Sequence, residues 1–476
     1  MRVTVQESSN FSVINAEQVI AVVGAGRTVP VSIQISLHNT DSFRLIFNFG
    51  YEDNQGVFHT FDFADMVHFL GQEKPFRPIP NPYAPGTPLR AGSDLFVGRE
   101  ALMQDVVEQV SNQKQAILVI VGQRRTGKTS TLLHLDSIMP DQILPVYVDG
   151  QSLGTIPGLG AFFHDISWLI SDAILARYDK ELEVPDLDHW DKEGLHLFQR
   201  HFLPQVQQEL PVDGRVLLVF DEFEVFESLV RDGILPATFF PVLRHLMQHS
   251  TQLNFVFAGT HRLEEIASEY WSVLFNLAPH RQINYLQEEA AEALITRPIA
   301  GYLLYDDLAL DRIWRATSGH PYFLQLVCYT MVAYANQTKT QYITISDVNA
   351  SLKEMLQLGE VHFVYIWREA DLTEQTFLVA IAHIHPSGEP IDLFPLIEQL
   401  REYDFVFTIA EARDAFRRLE HRGIVQELRH SGRLLYTMRI DLIRLWVREN
   451  RSLAYLREVK ARQSSKKEPP HTPNQL

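Results

Sequence analysis

Gly122, Gly127, Lys128 and Thr129 are spaced as G-x-x-x-x-G-K-[ST] within LVIVGQRRTGKTSTLL, residues 118–133. That spacing suits a polyphosphate. The glycines let the main chain curl until successive N–H groups point inward, and the helix N-terminus behind them favours negative charge. Lys128 would reach the β- and γ-phosphates, and the Thr129 hydroxyl would ligate Mg²⁺. Arg125, Thr126 and Ser130 fall in the same curl and complete the expected cradle. An apolar run precedes the motif and a helical pattern, KTSTLLHLD, follows it, which is the strand–loop–helix setting this chemistry needs.

A second box, VLLVFDEFE (216–224), is an apolar run ending in two acids. Asp221 would hold Mg²⁺, and Glu222 would orient the attacking water. A third run, NFVFAGTHR (254–262), ends in small and polar residues, and Thr260 is placed to sense a γ-phosphate. Catalysis is thus expected from Glu222, Lys128 and Thr260, and metal binding from Thr129 and Asp221. Other chemistry-bearing residues lead nowhere. His245 and His249 have the i,i+4 spacing of a metal clip but lack a third ligand, so a half-exposed helix is expected. His383 and His385 alternate before a turn, as at a strand end. Cys328, the single cysteine, lies in apolar FLQLVCYTMV and is expected buried, with no disulfide available.

The elements that must position these boxes alternate. Strands are expected at 116–121, 143–148, 216–220 and 254–258, separated by amphipathic helices, and so a parallel sheet covered on both faces. Residues 1–70 read as a β-rich, sandwich-like domain, with period-two alternation in SFRLIFNFGYEDNQGVFHTFDF and a turn near 52–56. Residues 71–94 carry prolines at 75, 78, 80, 82, 85 and 88 and read as an extended linker. The α/β nucleotide-binding domain is expected over 95–285 and an all-helical lid over 286–358. A helix-then-hairpin outline, that of a winged helix, spans 359–455. Residues 456–476 form a polar tail, with disorder expected from Ala461 on.

Composition narrows the partners. Lys and Arg total 42 against 59 Asp and Glu, a formal charge of −17. This disfavours a general polyanion binder, since such affinity comes from cations that displace counterions. Arginines 413, 417, 418, 422, 429 and 433 form the one DNA-like cluster, and Glu411, Asp414, Glu420 and Glu427 interleave with them. The start has no apolar signal-peptide core, and no run reaches the ~20 apolar residues of a membrane span, so a cytoplasmic, membrane-free protein is expected.

Taken in order, FVGRE (96–100), GQRRTGKTS, LLVFDEFE, FVFAGT, SGHPYFLQLV (318–327) and LLYTMRIDLIRLWVRENRSL (434–453) resemble the signal-transduction ATPases with numerous domains. These belong to the AAA+ and archaeal-ATPase-like group, relatives of the origin-recognition ATPases. The resemblance covers about residues 83–455. It implies a nucleotide switch: Phe96, Val97 and Gly98 against adenine with Arg99 nearby, and Pro321 of the lid closing over base or ribose. Where relatives place a lid arginine this chain has His320, which implies a switch with slow hydrolysis rather than a motor. Arg439 is a weak counterpart of a winged-helix residue that touches the β-phosphate, and Arg281 a candidate arginine finger acting in trans. ADP would hold the chain closed, and ATP would open it for self-association. The β-rich N-terminus would dock a protein partner. An ATP-dependent DNA loader or transposition regulator, with the winged helix on DNA, is the alternative.

Overall fold

The computed structural model describes residues 1–14, 17–20, 29–38, 42–53, 56–68, 76–153, 157–260, 278–384, 388–430 and 432–467. His385 and Arg262 fall outside them. Two compact units divide the chain, Met1–Arg77 and Pro78–Leu476.

The first unit is β-rich. Strands β5 (Ser42–Glu52) and β6 (Phe58–His68) pair antiparallel over their full length, in a four-stranded sheet of order β3-β1-β5-β6 with β1 (Arg2–Val5) and β3 (Glu17–Val19). Strands β2 (Phe11–Val13) and β4 (Ile35–Leu37) make a second, two-stranded sheet. Alternation sends Val5 and Phe43 inward onto Phe11, a small core. The aromatic face continues beyond it: Phe61 and Phe63 stay about half exposed, at 49% and 50%.

In the second unit, β7 (Ile117–Gly122), β8 (Ile143–Asp149), β9 (Arg215–Asp221) and β10 (Leu253–Gly259) match the four expected runs, one residue longer or shifted at the ends. A fifth strand, β11 (His280–Ile283), was not expected. Its sequence, HRQI, has no apolar run because it sits at the sheet edge. The sheet is parallel throughout, in the order β11-β7-β10-β9-β8. Period two sorts the strand residues onto two cores. Val119, Val146, Leu218, Phe220 and Phe257 face one layer of helices, and Leu118, Ile120, Leu217, Val219 and Val256 the other. Helix α1 (Glu100–Asn112) precedes β7, α2 (Lys128–Ile138) follows the loop, and α3 (Leu159–Tyr178) covers the far face. Helix α3 alone, among the described residues, is long and apolar enough to cross a membrane, and half of its apolar window is buried in the core.

The proline-dense segment is extended but is no free tether. From Pro78 it is sutured to helix Pro321–Thr338: Ile79 N donates to Asn336 Oδ1 at 2.7 Å, and Ala84 N to Gln325 Oε1 at 3.3 Å. Tyr83 is buried, its hydroxyl donating to Ile295 O at 2.8 Å. Proline removes N–H donors that an unpaired extended chain would otherwise leave to solvent.

The lid region is not helical throughout. A two-residue parallel pair, β12 (Leu304–Tyr305) with β13 (Tyr342–Ile343), joins its helices. Beyond it come helices Glu360–Glu369, Leu372–Ile384, Leu393–Arg401 and Ile409–His421. The last begins at a capping box, Thr408 with Glu411. Hairpin β15 (Val425–His430) and β16 (Arg433–Met438) follows, with β14 (Ile391–Asp392) on the outside of β16. His383 lies on a helix rather than a strand end, its ring bonded to Arg451 O at 2.7 Å; the apolar run LTEQTFLVAIAHI is helical because both its faces are covered. The tail departs from expectation as well. Helix Leu453–Lys467 runs past Ala461, anchored by the fully buried Leu456 and built of good helix formers.

Candidate nucleotide-binding site

The loop Gly122–Gly127 opens α2 at the C-terminal edge of the sheet. Gly127 is the N-cap and has φ +97°, a left-handed conformation that a side chain would strain. Arg125 adopts φ +63°, so the loop alternates handedness as an anion nest requires. Lys128 is buried, and its Nζ donates to Gly122 O at 2.9 Å and Gln123 O at 2.8 Å, inside its own loop. Burial pulls its pKa below the ordinary lysine value, while Glu224 and Asp221 push it back up.

Strand β10 lies between β7 and β9, yet the strand ends converge. Thr129 Oγ1 donates to Asp221 Oδ2 at 2.6 Å, and Tyr147 OH donates to the same oxygen at 3.0 Å. The other oxygen, Oδ1, accepts from Glu222 N at 2.9 Å. A hydroxyl and a buried carboxylate in contact are an oxygen donor pair suited to a hard divalent cation. Glu222 stands at φ +47° and accepts from the Gln151 amide. Burial and the Asp221 charge raise its pKa above the usual glutamate value. Among the described residues Thr260 Oγ1 and Glu224 Oε2 are buried without a partner, and both residues line the same cavity.

That cavity is ≈ 500 Å³. Of the expected residues, Phe96, Val97, Arg99, Arg125, Thr126, Gly127, Lys128, Thr129, Ser130, Asp221, Glu222, Thr260 and Pro321 line it. Gly98 and Gly122 do not. Gly98 is packed against Leu286 and Ala290, where a Cβ would come within 2.6 Å of Ala290 Cβ. Gly122 ends β7 beneath the loop. Phe96 stacks on His134 with centroids 3.6 Å apart. Arg99 is buried, donates to Thr126 O at 3.0 Å, and has its pKa pulled down to about 10 by burial. It therefore braces the loop as well as facing the cavity.

Several lining residues were not foreseen. Gly86, Thr87, Pro88 and Leu89, from the proline-dense segment, form one wall, and Leu89 N donates to Ser130 Oγ at 3.0 Å. Gln151 follows β8 at the sheet's C-terminal edge, where strand ends cluster, so its position was open to inference. Tyr322, His362, Tyr365, Glu369, Arg422 and Ile424 carry no local signal; only packing brings them in. His320 is buried with Nδ1 unpartnered, and burial, with the Arg439 charge, holds its pKa down at about 3. Gly319, before it, has φ +75° and passes so close to Leu286 that a Cβ would lie 2.2 Å from that carbonyl.

The C-terminal helices close over the loop. Gln123 Nε2 donates to His421 O at 2.8 Å, and Tyr285 OH to Gly423 O at 3.1 Å. Arg422 spans Glu374 Oε2, at 2.6 Å, and Glu369 O, at 2.7 Å, on the cavity wall. Arg439 is outside the lining and stacks on Tyr285, 4.1 Å from the ring centroid. Arg281 is held by Asp105 of α1 through contacts of 2.5 and 3.1 Å, within its own chain. Among the described residues no cluster of three metal-binding side chains occurs, and the His245 and His249 rings lie 4.6 Å apart, tilted by 50°. Cys328 is buried.

Residues 111–267 match the family model described as an AAA domain, and the described residues among them carry the parallel-sheet α/β core with its phosphate loop. No curated protein matches the sequence. Among solved structures, a Walker-type ATPase of Pyrococcus abyssi superposes with TM-score 0.54 at 11% identity, covering 76% of this chain and 99% of that one. Cdc6p of Pyrobaculum aerophilum gives TM-score 0.38 at 16% identity over 80% of this chain and 98% of that one. The Drosophila origin recognition complex, solved bound to DNA, gives 0.40 at 15% over 77% and 96%. At these identities the likeness to the Pyrococcus ATPase concerns fold alone.

Proposed function

We propose that the chain is a slowly hydrolysing ATP switch of the signal-transduction type, held closed by its C-terminal helices and hairpin and opened by ATP. One observation carries this reading: the phosphate loop is bonded through Gln123 to the helix Ile409–His421 at its far end, His421, and Arg422 and Ile424 form part of the cavity wall. A motor that cycled rapidly would gain nothing from roofing its site with its own C-terminus. Helix Ile409–His421 with hairpin β15–β16 is read as a winged helix that serves as this roof.

The residues divide the work. Phe96, Val97, Pro321 and the wall from Gly86 to Leu89 surround the base. Lys128 leaves the carbonyls of Gly122 and Gln123 for the β- and γ-phosphates, an exchange favoured because a charged acceptor binds an ammonium more strongly than a neutral one. Mg²⁺, held by Thr129 and Asp221, would neutralise charge developing on the triphosphate. Glu222, steadied by Gln151, orients water and takes its proton, and the unpartnered Thr260 hydroxyl is free to meet the terminal phosphate. ATP binding would release the roof and allow self-association, and the half-exposed aromatic face of the N-terminal unit, Phe61 with Phe63, suits a protein partner. Native mass spectrometry with ADP and with a non-hydrolysable ATP analogue tests this. The expected result is a bound nucleotide in both and a change in mass distribution only with the analogue; no binding sinks the reading.

A second reading, DNA contact through the hairpin, is favoured by one feature. Arg429 and Arg433 lie exposed near the hairpin tip, on opposite strands.

A further inference from the structure

A cradle made of main-chain N–H groups, one ammonium and one hydroxyl, with Arg125 beside it, gives no role to the second arginine of this loop, Arg124. Both guanidiniums lie on aromatic rings: Arg125 over Tyr322 at 4.3 Å, and Arg124 over Tyr365 at 4.4 Å. Tyr322 belongs to helix Pro321–Thr338, against Gly86 and the base wall, so Arg125 stays within the nucleotide half. Tyr365 is carried by helix Glu360–Glu369, which packs Phe363 and Trp367 against Trp446 of the C-terminal helix Asp441–Asn450, and His362 and Phe363 against Tyr322 and Phe323 of helix Pro321–Thr338. Arg124 thus ties the phosphate loop to the framework of the roof. Arg124 also lines the cavity that Glu222 and Lys128 line.

The geometry points to Arg124 as an ATP-responsive latch. At rest it lies on Tyr365 and keeps helix Glu360–Glu369 against the loop; a γ-phosphate draws it off the ring and frees the helix. This rests on the switch reading above and names the residue that couples triphosphate to release. The exchange is favourable because a guanidinium on a partly exposed ring is weakly held, while a bidentate contact with phosphate oxygens is charge-assisted and stronger. ADP lacks the terminal group and leaves the latch in place. Linkage then fixes the converse: if ATP weakens the latch, removing the latch must tighten ATP binding by the same factor.

Hydrogen exchange over residues 360–369 and nucleotide affinity, both on the full chain, test the latch. In the wild type the analogue raises exchange there and ADP does not. Tyr365→Leu shows raised exchange without nucleotide and a ~2- to 5-fold higher ratio of analogue affinity to ADP affinity, the equivalent of one exposed cation–π contact. Tyr365→Phe keeps the ring and behaves as the wild type, which separates the latch from a folding defect. Arg124→Gln also loosens the helix but loses the preference for the analogue over ADP. If the wild type binds nucleotide and Tyr365→Leu matches it in exchange and in that ratio, the latch is overturned while the switch stands; if the wild type binds none, both fall.

Discussion

The side-chain amide of Gln123 meets the main-chain carbonyl of His421 at 2.8 Å, joining the phosphate loop to a helix end 298 residues away. A partly exposed hydrogen bond of this kind contributes about 0.5–1.5 kcal/mol. Gln123→Ala is expected to leave the thermal midpoint almost unchanged while shifting the closed-to-open ratio by roughly 2- to 10-fold. Limited proteolysis of the junction near Gly423 would accelerate to match; unchanged cleavage would mean the roof is held elsewhere.

Glu222 combines a left-handed main chain with a raised pKa, caused first by burial and then by Asp221. Glu222→Gln should bind ATP normally and hydrolyse it about 10²–10⁴ times more slowly, as read by single-turnover phosphate release. The acid limb of turnover should lie above the ordinary glutamate value. Stability runs the other way. A carboxyl whose folded pKa is raised stabilises the fold below its unfolded pKa, near 4.5, and loses that contribution as pH rises through the folded value. Glu222→Gln is therefore expected to be the more stable protein at neutral pH and to lose the advantage in acid.

His320 and His362 are buried and neutral, held down at about 3 and about 2 by burial, with Arg439 adding to the first and His320 to the second. Unfolded, each takes up a proton below about 6.5. Stability should thus fall as pH drops from that value toward the folded pKa values, by about 1.4 kcal/mol per pH unit per histidine. Urea unfolding of the wild type and of His362→Gln between pH 6 and 4.5 would give slopes differing by one such increment; parallel slopes would show that the histidines are hydrated.

Arg418, in the arginine cluster that suggested DNA contact, is committed to Glu374, Asp371 and Asp414. Glu374 is buried and also binds Arg422. Removing one partner of a buried ion pair costs about 3–5 kcal/mol. Glu374→Ala should destabilise the C-terminal helices by about that amount, followed through tryptophan fluorescence. Arg429→Glu and Arg433→Glu, exposed near the hairpin tip, should change stability by less than about 0.5 kcal/mol. If duplex DNA is retained by the wild type, these two should abolish a salt-dependent gel shift.

Tyr83 anchors the proline-dense wall through its hydroxyl and its buried ring. Tyr83→Ala should cost about 3–5 kcal/mol locally. It should expose residues 78–93 to protease and weaken ADP, since Gly86–Leu89 face the cavity. Unaltered ADP affinity would show that the wall does not touch the base.

The amino-acid sequence determined the parts with local causes. Period-two alternation and apolar runs gave four sheet strands to within a residue, because burial on both faces leaves no polar alternative. The loop spacing and the acids ending β9 needed nothing beyond their own strand ends to be recognised. Strand β11 escaped because an edge strand buries too little to write a pattern, and helix Leu372–Ile384 because an apolar run covered on all sides has no period. What only the tertiary structure decided is who meets the loop from far away. Tyr365 on Arg124, His421 on Gln123, Arg422 beside Glu369 and the wall from Gly86 to Leu89 are pairings between segments with no periodicity in common. They follow from how the helices pack as bodies, a global minimum that no window of sequence contains.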